Sequence, residues 1–368
     1  MQSLYVHFPF CETKCHYCDF YSLGRERTRP GDADQFEQAL RIEVTQSLPL
    51  ISSELDTVFF GGGTPSMTSY DSMSRALEPL WKKTSITAQT EWTMEANPSS
   101  IDLSSFKSFR SYGINRVSMG VQAMQPQFLK TLGRAHSKEQ AIKALETVFE
   151  AGFDNVSVDL LCGVPEQSEI HLEESLKALT QFPITHLSCY LLTLAPHHRM
   201  FSALPNEDTQ LSHLLFVHDW LTREGFEHYE ISNFAKPGKK AQHNLRYWKG
   251  QSYLGLGPSA HSFNSITSQR WKNVSSLHKY ASLLNQGQGV VEWTETLTFK
   301  QLELEKWMLA LRLDEGFPRS WLTTSLQQER VKLFKSKGFL EQHPALPENY
   351  RLTPTGFALS DQVIASLV

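Results

Sequence analysis

Residues 5–20 read YVHFPFCETKCHYCDF: a short apolar run, then three cysteines spaced C-x-x-x-C-x-x-C at Cys11, Cys15 and Cys18. The chain has five cysteines, an odd number, and three of them crowd into this one loop. A disulfide framework needs an even set spread through a short secreted chain, so the cluster points to metal chemistry in a reducing compartment. Iron–sulfur clusters are held by thiolates on compact loops, and three ligands to a four-iron cluster leave one iron open to a further ligand. A structural zinc site is the competing reading, with His16 as a fourth ligand. Unligated, reduced thiols are the third.

Outward from this loop the sequence alternates. Apolar, strand-like runs recur at 4–9, 56–60, 91–96, 115–120, 155–161 and 186–192. Helical patterns fall between and after them, at 34–46, 70–83, 103–112, 138–151, 170–181 and 207–224. Such alternation predicts an α/β protein whose parallel sheet is covered by helices, with ligands at the C-terminal strand ends. CETKCHYC, GGGTP, EANP, GVQ and DLLCGVP all lie at or just past predicted strand ends. The chemistry is expected on one rim.

Beyond Phe234 the rhythm stops. Residues 235–263, rich in Gly, Lys and aromatics, read as ordered loops with short strands, and NQGQG at 285–289 reads as a linker. Residues 300–368 read as a small, mainly helical module of winged-helix-like shape. Leu304, Trp307, Met308 and Leu311 share one face of its first helix, and Thr353–Pro354 starts its last. The expected division is therefore 1–235, 236–299 and 300–368.

Composition sets the limits. With 22 Phe and 8 Trp among 368 residues, the chain carries too much buried-type surface to be disordered. Its 35 basic and 39 acidic residues give −4, which offers no general attraction to nucleic acid. No apolar run approaches the ~18 residues of a membrane span. MQSLYVHFPFC shows no basic leader, so a cytoplasmic protein is expected, reaching membranes only through partners.

YVHFPFCETKCHYCDF, FFGGGTPS, MEANP, GVQ and VDLLCGVPEQ together resemble the radical S-adenosylmethionine (SAM) superfamily. Within it the chain resembles the oxygen-independent coproporphyrinogen oxidase group, over nearly its whole length. The resemblance implies a partial TIM-type (β/α) barrel, a four-iron cluster on Cys11, Cys15 and Cys18, and SAM on the open iron. In that family the reduced cluster cleaves SAM to methionine and a 5′-deoxyadenosyl radical. It also implies that Tyr5 and Tyr17 line the pocket, and that Gly61, Gly62, Gly63 and Thr64 admit the methionine close to the backbone. A GGG by itself is an ordinary strand-end turn. Glu95, Gln122, Arg134 and Asp159 fall at the positions that contact the amino acid and ribose. A carboxylate suits the ammonium, a guanidinium the carboxylate, and Asp159 the ribose hydroxyls. Thr193 is a further candidate on the adenine side. His7, His136 and His261 are read as structural or pocket-lining, and Cys162 and Cys189 as buried small residues.

Two features separate the chain from the oxidases of the group. Phe20 stands where they carry a further cysteine, and the first strand begins almost at the N-terminus. CDF in the loop, and HNLRYW at 243–248, resemble the HemW family of haem chaperones. The resemblance implies haem binding at this motif, with His243 as axial ligand and Tyr247 and Trp248 offering flat apolar surface. The competing reading is a packed loop whose histidine bonds locally. The expected function is haem delivery to apo-haemoproteins of the respiratory chain, with a possible cluster-dependent homodimer. The alternative is a radical enzyme acting on a tetrapyrrole, and no residue is assigned as catalytic.

Overall fold

A computed structural model describes residues 1–367. In chain order, the first half carries β1 (Ser3–Phe8), α1 (Asp32–Ser47), β2 (Thr57–Gly62), α2 (Tyr70–Lys83), β3 (Glu91–Ala96) and α3 (Leu103–Tyr112). Next come β4 (Arg116–Gln122), α4 (Pro126–Leu132), α5 (Lys138–Glu150), β5 (Val156–Cys162), α6 (Glu169–Thr180) and β6 (His186–Leu191). They are followed by α7 (Glu207–Arg223), β7 (Glu227–Glu230), β8 (Asn233–Ala235), α8 (Gln242–Trp248), β9 (Leu254–Leu256), β10 (His261–Asn264) and β11 (Gln269–Asn273). The last are α9 (Leu277–Asn285), β12 (Val291–Thr296), α10 (Phe299–Ala310), β13 (Phe317–Pro318), α11 (Ser325–Ser336), β14 (Leu340–Gln342), β15 (Asn349–Leu352), α12 (Pro354–Ala358) and α13 (Ser360–Leu367).

Two compact units result, and they do not follow the expected linear division. The first comprises Met1–Asp159, Phe182–Ile184 and Gln251–Thr296; the second comprises Leu160–Gln181, Thr185–Gly250 and Leu297–Val368. The presumed linker at 285–289 is instead a turn from α9 into β12 inside the first unit, closed by Gly287 N–H to the Leu284 carbonyl at 2.9 Å.

In the first unit the strands pair in parallel in the order β9–β1–β2–β3–β4. Strands of a parallel sheet are buried on both faces, which is why they read as near-continuous apolar runs. Leu4, Val6, Val58, Phe60, Met94, Val117 and Met119 are all buried. Helix ends are set by local chemistry. Ser69 caps α2 through Ser72 N–H, Ser137 and Gln140 form a capping box on α5, and Gly113 ends α3 at φ +118°. Tyr280 and Ala281 of α9 pack with Ala39 of α1.

The second unit has β8 between β6 and β7, antiparallel to both. Its C-terminal part forms a three-stranded sheet, β13–β15–β14, with α10, α11, α12 and α13 around a core of Trp307, Leu311, Phe317, Val331, Val363 and Leu367. Leu304, expected on the buried face of α10, is exposed, so the stripe is narrower than its spacing suggests. Thr353 does cap α12, accepting from Gly356 N–H at 3.0 Å.

Candidate functional site

The cysteine loop leaves β1 and is tied down at both ends. Cys11 N–H donates to Leu23 O at 2.9 Å, Leu23 N–H to Pro9 O at 2.6 Å, and His16 N–H to Leu132 O at the end of α4 at 3.1 Å. The His16 ring also bonds Thr131 O through Nδ1 at 3.0 Å, which fixes its orientation beside the loop. Among the described residues, no three His, Cys, Asp or Glu side chains converge to hold a single metal ion. A cluster spreads its ligands over several irons, and thiols on one loop suit that arrangement.

β2 delivers the glycines beside this loop. Gly63 N–H donates to Phe8 O and Thr64 N–H to Phe10 O, both at 2.7 Å, and the Thr64 hydroxyl reaches Cys11 Sγ at 3.6 Å. Gly62 sits at φ +104°, and a Cβ there would lie 2.5 Å from the His7 ring; at Gly63 a Cβ would lie 2.5 Å from Phe10 O. Only glycine fits either place. His7 is fixed in turn: its Nε2–H donates to Tyr21 O at 2.7 Å, so its Nδ1 accepts from the Tyr5 hydroxyl at 3.0 Å. Burial draws His7 down to about 4, which keeps the ring neutral.

Of the remaining groups Glu95, Gln122 and Asp159 stand on β3, β4 and β5, Arg134 follows α4, and Tyr17 lies in the thiol loop. Gly62 N–H donates to Glu95 Oε2 at 3.1 Å. Burial first, then the Asp159 charge, push the Glu95 carboxyl up to about 8. Asp159 accepts from the Ser118 hydroxyl at 3.3 Å. Arg134 Nη1–H donates to Cys15 Sγ at 3.3 Å, and its Nη2–H to Gly120 O. Burial opposes the Arg134 charge, yet Tyr17 and the Cys15 and Cys11 thiols outweigh it and raise its pKa further. Tyr17 lies among Arg134, Cys15, Cys18 and Asp159, and burial raises its phenol well above the usual range. Gln122 ends β4 at φ +69°, a left-handed conformation that a non-glycine residue holds only under local constraint.

Tyr5, Tyr17, Gly61, Gly62, Gly63, Thr64, Glu95, Gln122, Arg134 and Asp159 thus all belong to the unit that carries the three cysteines. Thr193 does not: it lies in the second unit, exposed, with its hydroxyl on Leu191 O at 3.3 Å. His136, read from the sequence as structural or pocket-lining, belongs to the same unit. Its ring is buried beside Arg134, and burial and then the Arg134 charge lower it to about 3, while Arg134 Nε is buried without a hydrogen-bond partner. A buried guanidinium N–H with no acceptor and a carboxyl kept protonated are groups that a zwitterionic amino acid would satisfy. Its position two residues after Arg134 was the available signal.

HNLRYW lies in the second unit and is helical, not a loop. His243 is only 1% exposed, and its Nε2 meets the Tyr247 hydroxyl at 2.6 Å. The Trp248 indole donates to the buried Glu230 carboxyl, and the Arg312 guanidinium lies over the Trp248 ring at 6.0 Å. The Tyr229 hydroxyl accepts from Ala241 N–H at 3.2 Å, just ahead of α8.

This parallel sheet, with a three-thiol loop after its first strand and polar groups on the following strand ends, defines a radical SAM protein. The sequence model of the Radical SAM superfamily matches residues 5–179. The solved coproporphyrinogen III oxidase (HemN) from Escherichia coli, described as a radical SAM enzyme, superposes with a TM-score of 0.84 at 22% identity, over 99% of this chain and 89% of its own. At that identity the likeness speaks for the fold alone. The heme chaperone HemW of Mycobacterium tuberculosis (strain H37Rv) is 33% identical over 99% of this chain and 94% of its own length. That of Bacillus subtilis (strain 168) is 32% identical over 91% and 90%, and that of Escherichia coli (strain K12) 37% over 70% and 69%. The chain belongs to the HemW family of radical SAM proteins. Membership implies a four-iron cluster and SAM, and the thiol loop, glycine cradle and orphaned Arg134 N–H fit both groups.

Proposed function

We propose that the chain is a cytoplasmic haem chaperone. It holds a four-iron cluster through Cys11, Cys15 and Cys18 and binds SAM in the cradle of Gly61–Gly63, Glu95 and Arg134. It takes up haem and hands it to apo-haemoproteins of the respiratory chain. The observation that carries this reading is the one-third identity to proteins named heme chaperones along 99% of the chain. Phe20, 67% exposed in place of a cysteine, supports it against oxidase chemistry. Among the described residues no helix is long and apolar enough to cross a membrane, so recipients in a membrane are met through protein contact. A homodimer formed when the cluster is present belongs to the same reading.

Haem-loaded protein mixed with an apo-cytochrome of the respiratory chain tests it. Transfer of the haem absorption to the recipient, faster than from haem bound to serum albumin, is expected. Anaerobic conversion of coproporphyrinogen to protoporphyrinogen, matched by 5′-deoxyadenosine release, would instead establish the radical-enzyme reading. The gathering of Glu95, Arg134 and the glycines in the unit of the thiol loop favours that second reading, since simple carriage does not require a SAM cradle.

A further inference from the structure

Arg116 opens β4, and its guanidinium is 2% exposed in the unit that carries the thiol loop. The register sets Arg116 across from Thr93 and Ser118 across from Glu95. Side chains alternate along a strand, so Arg116 and Ser118 share one face with Thr93 and Glu95. Met94, Val117 and Met119 bury the other face. The polar face thus carries a cation two residues below the level of the Glu95 carboxyl.

That cation is poorly satisfied. Its Nη1–H donates to the Thr93 hydroxyl at 3.5 Å, the limit of a hydrogen bond, and its Nε–H is buried without a partner. Among the described residues no carboxylate lies within ion-pair distance of it. A buried cation left in this way is costly, and its field reaches far because little water screens it. Glu95 is the group that feels it. Burial and then the Asp159 charge from β5 hold a proton on the Glu95 carboxyl, while the Gly62 N–H from β2 and Arg116 from β4 act to remove it. Tyr5, which faces Glu95 from β1, is kept neutral by burial and by Glu95 itself.

The ammonium of SAM pairs with the ionised carboxylate and not with the acid. We propose that Arg116 is a positioning residue of the SAM site, which acts through Glu95 by favouring the carboxylate that the ammonium pairs with, an inference that rests on the SAM-binding reading above. This role carries its own pH signature. Near neutrality Arg116 supplies part of what ionises Glu95. At alkaline pH the carboxyl ionises unaided, and Arg116 then adds only repulsion of the ammonium. A guanidinium that merely filled space would act alike at every pH.

Calorimetry of SAM binding to full-length, cluster-reconstituted protein, from about pH 6.5 to about pH 9, tests the assignment. Arg116→Met removes the charge and keeps much of the length. Its affinity is expected to fall about tenfold near pH 7, the effect of a carboxyl proton held ten times more tightly, and to come within about twofold of wild type near pH 9. The conservative Arg116→Lys restores most of the affinity with the wild-type pH dependence. In Glu95→Gln, where no carboxyl titrates, adding Arg116→Met changes affinity by the same factor across the range. The ionisation of SAM itself is common to all the proteins compared. Iron content and far-UV circular dichroism check that each variant folds and holds its cluster, and Arg116→Gln takes the place of Arg116→Met if that variant does not. A loss of equal size at every pH in Arg116→Met, no loss at all, or an equal loss in Arg116→Lys overturns the assignment and leaves the SAM site standing. No SAM binding by wild type overturns the SAM site itself and this inference with it.

Discussion

The buried guanidinium of Arg134 donates to Cys15 Sγ at 3.3 Å, which ties the thiol loop after β1 to the segment that follows α4. One arginine therefore touches a cluster thiol while keeping a buried, unpartnered Nε–H for another acceptor. Arg134→Gln keeps bulk and some hydrogen bonding but removes the charge. Loss of one charge-assisted hydrogen bond is worth roughly 1.5–3 kcal/mol, so SAM affinity falls about 10- to 100-fold. Calorimetry on cluster-reconstituted protein checks this, with iron content measured alongside. Wild-type affinity in Arg134→Gln removes the residue from the cofactor site.

Gly63 makes the second test. Its N–H holds Phe8 O at 2.7 Å, and a Cβ would collide with the Phe10 carbonyl at 2.5 Å. Backbone cannot yield as a side-chain tip does. Gly63→Ala is expected to push the thiol loop off β2 and lower cluster occupancy, read as iron and sulfide per chain and as the brown absorption of the reconstituted protein. Gly289→Ala, where added bulk meets nothing within 4 Å, serves as the control. Full occupancy in Gly63→Ala would show that the cradle tolerates a Cβ.

The rim was legible in the sequence because parallel strands announce themselves twice, by buried apolar runs such as Val58–Phe60 and by the polar motifs that end them. Elements set by distant contacts were not. Pro126–Leu132, seven residues that follow Gln122 after a gap of three, is too short to show a helical period, yet its end anchors His16. The HNLRYW motif gives its residue types but not their partners. Only the fold shows that Tyr247 occupies His243 Nε2 and that Glu230 takes the Trp248 indole. The His218–His228 pair joins the end of a helix to a strand across a ten-residue gap, which no spacing rule flags.

Glu43 shows the same limit and yields the third prediction. On α1 it is buried and accepts from Gly257 N–H at 2.6 Å, Asn273 Nδ2 at 2.6 Å and the Tyr280 hydroxyl at 2.5 Å, partners that its place in the sequence does not indicate. These donors lie 214 to 237 residues away and fasten residues 257–280 to α1. Glu43→Ala strands all three donors, and each buried orphan costs ~1–3 kcal/mol, so the loss is on the order of 3 kcal/mol or more. Glu43→Gln retains one acceptor oxygen and loses less. Urea midpoints measure both, and an unshifted Glu43→Ala midpoint would mean that the staple carries no weight.

Glu95 gives a pH dependence whose sign follows from its surroundings. Burial, reinforced by Asp159, lifts its carboxyl from an ordinary 4.5 to about 8, and the Gly62 N–H only partly offsets this. The folded state thus binds this proton more tightly than the unfolded state. Its contribution to stability is complete below the unfolded value and is lost as pH climbs through the folded one, by at most ~1.4 kcal/mol per pH unit. Relative to Glu95→Gln, cluster-free and ligand-free wild type is expected to lose stability between about pH 5 and about pH 8, since the buried neutral histidines act alike in both proteins. Glu230, raised to about 8 by its own burial, adds a similar slope to both proteins and cancels in the comparison. SAM brings an ammonium that stabilises the ionised carboxylate, so it should protect wild type most at the alkaline end and Glu95→Gln evenly across the range. Urea titrations at several pH values, with and without SAM, separate these terms. Parallel curves for the two proteins would place the Glu95 proton outside the folding equilibrium and remove its carboxylate from the ammonium subsite.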